Sequence, residues 1–379
     1  MQIARAQAKE ARAQHDQARM QFFPWIAPAV GYRRHEGNIQ DVVGNVLETD
    51  KQSYTAGAAL NAQLDLGGAI YQSLAAKQLA RAADESAEAR RQESVFNAAA
   101  GYFELSRATA SVGAAQEAVR IAEDYAGQVA RAVEAGIVFK GDAYRAQVQA
   151  ENNRILLRQA QEQQRVASAR LAQTLRLPAV IELTPNEVEL APVTLIATNA
   201  ALDSLVARAL ATRPELRQAN YLNAAARAER KGTTLGPLIP TLNAQAYFGG
   251  LGGGLDNETG NFDNSQDYFV GLSWRIGPGG LFDRSLTRAA TARAQVVELQ
   301  GEQAQQDIER QVVEAHTRVH SLADQLTMAQ RALTAAEQLL KLSRERKEFG
   351  TAAVLETIQA EQELTRARLE YFKIGRAHV

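Results

Sequence analysis

The spacing of hydrophobic positions changes along this chain. From about Ala69 to Ala135, beginning AIYQSLAAKQLARAADESAEARRQES, and again from about Leu281 to Phe349, apolar residues recur at the helical period. No proline lies between Pro28 and Pro178 or after Pro278, so two very long helices are permitted. One uninterrupted helix over the first stretch would span roughly 100 Å, several times the diameter of a small domain. Such helices pack as coiled coils or antiparallel hairpins, and alanine at the seam lets two backbones approach closely.

Before each long helix the period drops to two. In SYTAGAALNAQLDL, Tyr54, Ala56, Ala58, Leu60, Ala62, Leu64 and Leu66 share one face, while Thr55, Asn61, Gln63 and Asp65 share the other. In DYFVGLSWRI, Tyr268, Val270, Leu272, Trp274 and Ile276 alternate with Phe269, Gly271, Ser273 and Arg275. Upstream partners are WIAPAVGYRR and TLNAQAYFGG. The intervening loops are polar and rich in Gly, Asn and Asp, as exposed hairpin connections should be. Both tryptophans, Trp25 and Trp274, fall on these expected strands.

The pattern occurs twice. Gly67-Gly68 with Ser73-Leu74 recur as Gly279-Gly280 with Ser285-Leu286; Gly136 recurs as Gly350 and Pro24 as Pro240. The sequence therefore divides into repeat one at 1–177, a connector at 178–199, repeat two at 200–374, and an unassigned end at 375–379. Repeat one holds strands at about 25–36 and 52–66, a long helix at about 69–135 and a returning helix at about 142–176. Repeat two holds strands at about 241–250 and 267–277, a long helix at about 281–349 and a returning helix at about 352–374. The connector, with Pro178, Pro185 and Pro192, reads as irregular. The fold class is mainly α with a small β part.

Thr212 and Glu215 have capping-box spacing, and Pro214 ends the helix before them. Shifted by the repeat offset, the opening helix of repeat two falls before Met1. Repeat one is thus expected to lack its first helix, and the chain to be a fragment of a longer protein.

Composition excludes several classes. The 42 basic and 43 acidic residues leave a net charge of −1, which gives no basic footprint for nucleic acid. The absence of cysteine removes disulfides, thiol nucleophiles and Cys-ligated zinc. The hydrophobic share is 46%, much of it alanine, with 6% aromatics and a mean hydropathy of −0.29. No run of about 18 apolar residues marks a transmembrane helix, and the first residues lack the apolar centre of a signal peptide.

Four strands with one apolar face cannot close a barrel, since the smallest need about eight. Either the sheet is open, packed on helices in a soluble protein, or several chains share one barrel. The apolar face suits lipid and the polar face suits water.

The double arrangement, TRPEL at Thr212–Leu216, Pro24 and Pro240 ahead of strands, LFD at Leu281–Asp283, and paired turn segments Gly136–Ala146 and Gly350–Ala360 together resemble the TolC-like outer-membrane efflux proteins. The resemblance covers nearly the whole chain. It implies a homotrimer whose protomers each give four strands to one 12-stranded β-barrel in the lipid bilayer, continued by a periplasmic α-helical tunnel. It further implies a passive exit duct of a tripartite efflux pump or type I secretion system. Such a duct sits in the bacterial cell outer membrane with most of the chain in the periplasm. Its partners are a periplasmic adaptor (membrane fusion) protein and an inner-membrane transporter. The alternative is a soluble periplasmic helical-hairpin scaffold or adaptor, which would not need four amphipathic strands in two matched hairpins.

In both repeats a glycine precedes an acid by six residues and an alanine by ten: Gly136, Asp142, Ala146 and Gly350, Glu356, Ala360. Glycine permits the turn between antiparallel helices, and the acid complements the dipole of the returning helix. The resemblance implies more, namely carboxylate rings at the closed periplasmic entrance. There Asp142 matches an acid that links to an arginine of the other repeat. That arginine position is Ala352 here and a nearby tyrosine position is Lys347, so Lys347 and Lys140 are the candidate substitutes. The second acid of the family's constriction is Gln359, leaving Glu356 alone. Trp25, Tyr54, Tyr268 and Trp274 are candidate membrane-interface aromatics. His316 and His320 stand i, i+4 on one helix face, a spacing that can bind metal; with no third ligand evident, the pair is read as solvated or lining the duct. No Ser/His/Asp array or paired-acid pocket stands out, so catalysis, cofactor and metal are not expected.

Overall fold

The computed structural model describes residues 1–186, 200–255, 259–348 and 354–377, with the backbone alone at 347, 348, 376 and 377. The elements in chain order are α1 (Gln2–Met20), β1 (Trp25–Gln40), β2 (Val46–Asp65), α2 (Leu66–Glu134), α3 (Lys140–Leu175), α4 (Leu202–Thr212), α5 (Pro214–Leu235), β3 (Thr241–Leu255), β4 (Asp263–Ser273), α6 (Arg284–Glu348) and α7 (Val354–Ala377). They fall into two compact units, Met1–Ala89 with Arg213–Gln306 and Arg90–Thr212 with Asp307–Val379. Gly350 and Ala352 lie outside the described residues.

The first unit carries one antiparallel sheet in the order β1-β2-β3-β4. Its register puts Tyr32 opposite Tyr54, Ala58 opposite Phe248, and Ala246 opposite Tyr268. Because opposed residues share a face, Ile26, Val30, Tyr32, Tyr54, Leu60, Leu64, Leu242, Phe248, Tyr268, Val270 and Leu272 form one apolar surface across all four strands. Asn61, Gln63, Asn243, Gln245 and Ser273 lie on the other. Aromatic pairs reinforce the apolar side: the Tyr32 and Tyr54 rings are 5.2 Å apart, and Phe248 meets Tyr268 edge-on at 5.6 Å.

The duplication is kept in the hydrogen bonding. Trp25 pairs with Asn61 in the first hairpin, and Thr241 pairs with Ser273 in the second. The strands run further into the loops than the alternation suggested: β1 to Gln40, β2 from Val46, β3 to Leu255 and β4 from Asp263. Cross-strand pairs sustain the ladder there without apolar alternation, as Arg34 does by donating to the Asp50 carboxylate at 2.7 Å.

At the other end β4 is shorter than expected. It stops at Ser273, so Trp274 and Ile276 lie past the strand. Residues 62–65 of β2 are held by β3, whereas among the described residues 274–276 continue no ladder: Ile276 bridges Leu281, whose N–H donates to the Arg275 carbonyl at 2.9 Å. The expected start of the long helix near Leu281 also moves, to Arg284. Gly277 (φ 107°) and Gly279 (φ 74°) are left-handed, Pro278 lies between them, and Asp283 caps the helix by accepting from the Ser285 and Leu286 N–H groups, each at 3.1 Å. In repeat one the equivalent glycine is already helical. A Cβ on Gly67 would sit 2.1 Å from the Gly236 carbonyl oxygen, so only glycine allows α2 to start against that turn.

The capping box at Thr212 is not formed. Thr212 is the last residue of α4 and its hydroxyl donates back to the Arg208 carbonyl; Arg213 is the N-cap of α5, with Pro214 at the first helical position. At the other terminus α7 continues through Ala377, beyond the expected end at 374.

In the second unit the helices pack through narrow seams. On α2 the buried residues Leu105, Ala108, Val112, Ala115, Ala118, Ala122, Tyr125 and Val129 advance by three or four, the spacing of one coiled-coil stripe. Leu105 and Ala108 meet Ala167 and Leu171 of α3, while Val112 and Ala115 meet Ala160. Ala336 and Leu340 of α6 meet Ala360 and Leu364 of α7. Among the described residues no helix is long and apolar enough to cross a membrane.

Candidate functional site at the helical turns and the sheet

The turn between α2 and α3 is built by Gly136. Its N–H donates to the Val133 carbonyl and that of Ile137 to Ala132, both at 2.9 Å, which is a Schellman closure with Gly136 in the left-handed region at φ 74°. Lys140 is then the first residue of α3, two positions before the expected start, with Phe139 as its N-cap. Lys140 is exposed, as are Ile137 and Phe139 beside it.

Asp142 sits in the first turn of α3, and its carboxylate accepts from Arg145 of the same helix at 3.0 Å. In repeat two Glu356 sits in the first turn of α7 and accepts from Arg346 of α6 at 2.6 Å. Gln359 is exposed on α7. Gly350 is outside the described residues, as is the side chain of Lys347. The alanines at the tenth position explain their own recurrence. Ala146 and Ala360 are each 1% exposed, and a larger side chain would force the helices apart.

Between the repeats, Tyr125, Val129 and Ala146 pack on Ile358 and Val354. The Tyr125 hydroxyl donates to the Val354 carbonyl at 3.2 Å, and burial pushes its pKa above the ordinary tyrosine value. A chain of amides, with Gln149 and Asn153 buried, continues this contact. Gln362 Nε2 donates to Gln149 Oε1 at 2.6 Å, Gln149 Nε2 to Asn153 Oδ1 at 3.2 Å, and Asn153 Nδ2 to the Ala118 carbonyl at 3.0 Å. Arg344 lies 3.5 Å from Glu361, whose side chain is 4% exposed. Reading the sequence for acids and glycines passed over these residues. The available signal was Gln149 and Asn153 interrupting an alanine seam on α3.

On the sheet, Tyr54 and Tyr268 lie on the apolar face, whereas Trp25, opposite Asn61, lies on the polar one. Trp274 donates its indole N–H to the Leu238 carbonyl at 3.3 Å. Tyr268, Val270 and Leu272 are 67%, 75% and 59% exposed, an apolar strand face left open by the described residues. Alongside the sheet, an open groove of about 1210 Å³ is lined by polar groups, among them Gln14, Gln63, Asp65 and Glu229, interleaved with apolar ones such as Leu79 and Ile239.

A family model for outer membrane efflux proteins matches residues 1–175 and 205–376, and the chain belongs to that family. No curated protein matches it by sequence. Among solved structures it resembles a membrane protein from Pseudomonas aeruginosa, with a TM-score of 0.87 and 19% identity over 100% of this chain and 84% of that one. It also resembles the outer membrane protein VceC of Vibrio cholerae (TM-score 0.82, 18% identity, 99% and 89% covered) and the CmeC outer membrane channel of Campylobacter jejuni (0.80, 15%, 100% and 79%). The function that goes with this membership is efflux through an outer-membrane channel, and the reading as a soluble scaffold or adaptor is not favoured. The TolC-like fold read from the sequence is the fold observed.

Proposed function

We propose that three copies of the chain form one duct, the exit channel of a tripartite efflux pump or type I secretion system. The observation that carries this reading is the sheet: one continuous apolar face, one polar face, and two unpaired edges, β1 and β4. From Tyr54 to Leu64 the apolar face covers about the 9–11 residues that a tilted strand needs to cross a bilayer. Three such sheets joined edge to edge give about twelve strands, an even number above the minimum of about eight. The polar face and the Gln- and Glu-lined groove then enclose water.

Most of the chain, the long helices, stands in the periplasm on this reading. The turn at Gly136 and the start of α7 form the entrance, where Glu356 and Asp142 become rings of three and exposed Ile137, Phe139 and Lys140 offer a surface to a periplasmic adaptor protein. An inner-membrane transporter supplies the energy, and conduction through the duct is passive. The test is fractionation and size. A detergent-stable trimer in carbonate-washed outer membrane that conducts ions in a planar bilayer is the expected result; a monomer in the soluble fraction overturns it.

A further inference from the structure

We propose that the two open edges join in one specific register, with Ser273 of one copy opposite Ala29 of the next. The inference rests on the trimeric reading above and adds a residue-level interface to it. Duplication maps β1 onto β3 and β2 onto β4, and it carries the pair Trp25 and Asn61 onto Thr241 and Ser273, a pair the sheet contains. The same mapping applied to the β2–β3 interface, where Asn61 faces Gln245 and Asp65 faces Thr241, generates the missing interface between β4 and a neighbouring β1. It sets Leu272 opposite Val30, Val270 opposite Tyr32 and Ser273 opposite Ala29.

An independent feature agrees with this register. It keeps the apolar residues of β4 and β1 on one face, which a slip by a single residue would reverse.

The chain has no cysteine, so engineered pairs report without background. Three double variants of the full chain are compared under mild oxidation in outer-membrane vesicles: Ser273→Cys with Ala29→Cys, with Ala27→Cys, or with Gly31→Cys. Directly opposed Cβ atoms lie about 4.5–5.5 Å apart, near disulfide range, whereas diagonal neighbours lie about 7–8 Å apart. The Ala29 pair should give a covalent trimer on a non-reducing gel at least fivefold more completely than either other pair. Preferential linkage through Ala27 or Gly31 overturns the register while leaving the trimer standing. A native trimer in which none of the pairs links overturns the edge pairing. A monomer overturns the reading beneath both.

A separate observation lies on α6. His316 and His320 place their Nε2 atoms 3.2 Å apart, with no other His, Cys, Asp or Glu among the described residues completing a cluster. Two metal–nitrogen bonds of about 2.0–2.1 Å opening at about 100° span that same separation. The geometry points to a two-imidazole chelate for a divalent ion of the copper, nickel and zinc group, its remaining positions filled by water. Thr317 follows His316 where a hydrolytic zinc helix would carry glutamate, so the site binds rather than hydrolyses.

Untagged full-length protein titrated with Cu2+ should bind one ion per chain with a two-nitrogen paramagnetic resonance signature. His316→Ala or His320→Ala should each weaken binding at least tenfold, while His15→Ala should not. Equal affinity in all variants, or a signature without two nitrogens, overturns the assignment.

Discussion

The hydroxyl of Tyr125 in α2 donates to the carbonyl of Val354 at the first position of α7, 229 residues later in sequence, at 3.2 Å. The bond ties the returning helix of one repeat to the outgoing helix of the other beside the inter-helix turns. Tyr125→Phe keeps the packed ring and removes this bond, a loss of about 1 kcal/mol. Amide exchange at Val354–Ile358 should speed up about fivefold, with the rest of α7 unchanged.

Glu356 and Arg346 form an exposed ion pair, 35% and 57% accessible, and such pairs contribute little stability. Glu356→Lys should leave the melting temperature within about 2 °C, a shift expected of changes below about 0.5 kcal/mol. On the proposed duct reading it should nonetheless lower cation over anion selectivity in a planar bilayer, because it replaces an acid proposed to line the entrance with a second cation next to Arg346. Unchanged selectivity would remove Glu356 from the entrance.

Asp283 accepts from the Ser285 hydroxyl and from the N–H groups of Gly279 and Leu286, which lower its pKa from 3.8 to about 2. A carboxylate depressed in the folded state stabilises above its unfolded pKa, and that contribution is lost as pH falls through the folded value. The start of α6 should therefore loosen between about pH 4 and pH 2, read by amide exchange at Ser285–Thr287. Asp283→Asn should begin looser at neutral pH and show a flatter acid response.

Gly136 holds φ at 74°, and a Cβ at this position would meet nothing within 4 Å, so a side chain there brings strain without collision. Gly136→Ala should cost about 1–2 kcal/mol from the left-handed backbone alone. Gly136→Asn, which tolerates that region, should cost less. A thermal scan of the two variants separates conformational strain from steric damage.

Much of this architecture was legible because it depends on local period. Alternation at Tyr54–Leu64 and Tyr268–Leu272 found strands, and the recurrence of Gly136 with Ala146 at Gly350 with Ala360 found two helical hairpins. Helix starts were less legible. LFD at Leu281–Asp283 read as the beginning of a helix until left-handed Gly279 and Phe282 placed it in the turn that Asp283 caps. Trp274 read as a strand residue because its alternation is intact, yet strand length is set by a partner, and beyond Ser273 the described residues turn back, with Ile276 bridging Leu281 in place of a ladder.

By itself, the sequence determined the duplication, the two long helical hairpins, the apolar face of the sheet and the family resemblance that follows from their order. Each is a repetition or a spacing, and the chain carries those without folding. Tertiary structure decided which groups meet. It gave Glu356 to Arg346 and Asp142 to Arg145, paired β2 with β3 so that Asp65 faces Thr241, and brought Gln362 to Gln149 across 213 residues. No spacing rule reaches that far, because such contacts are selected by the packing of alanine seams, and the seam that brings two helices together also selects which polar side chains must find partners inside it.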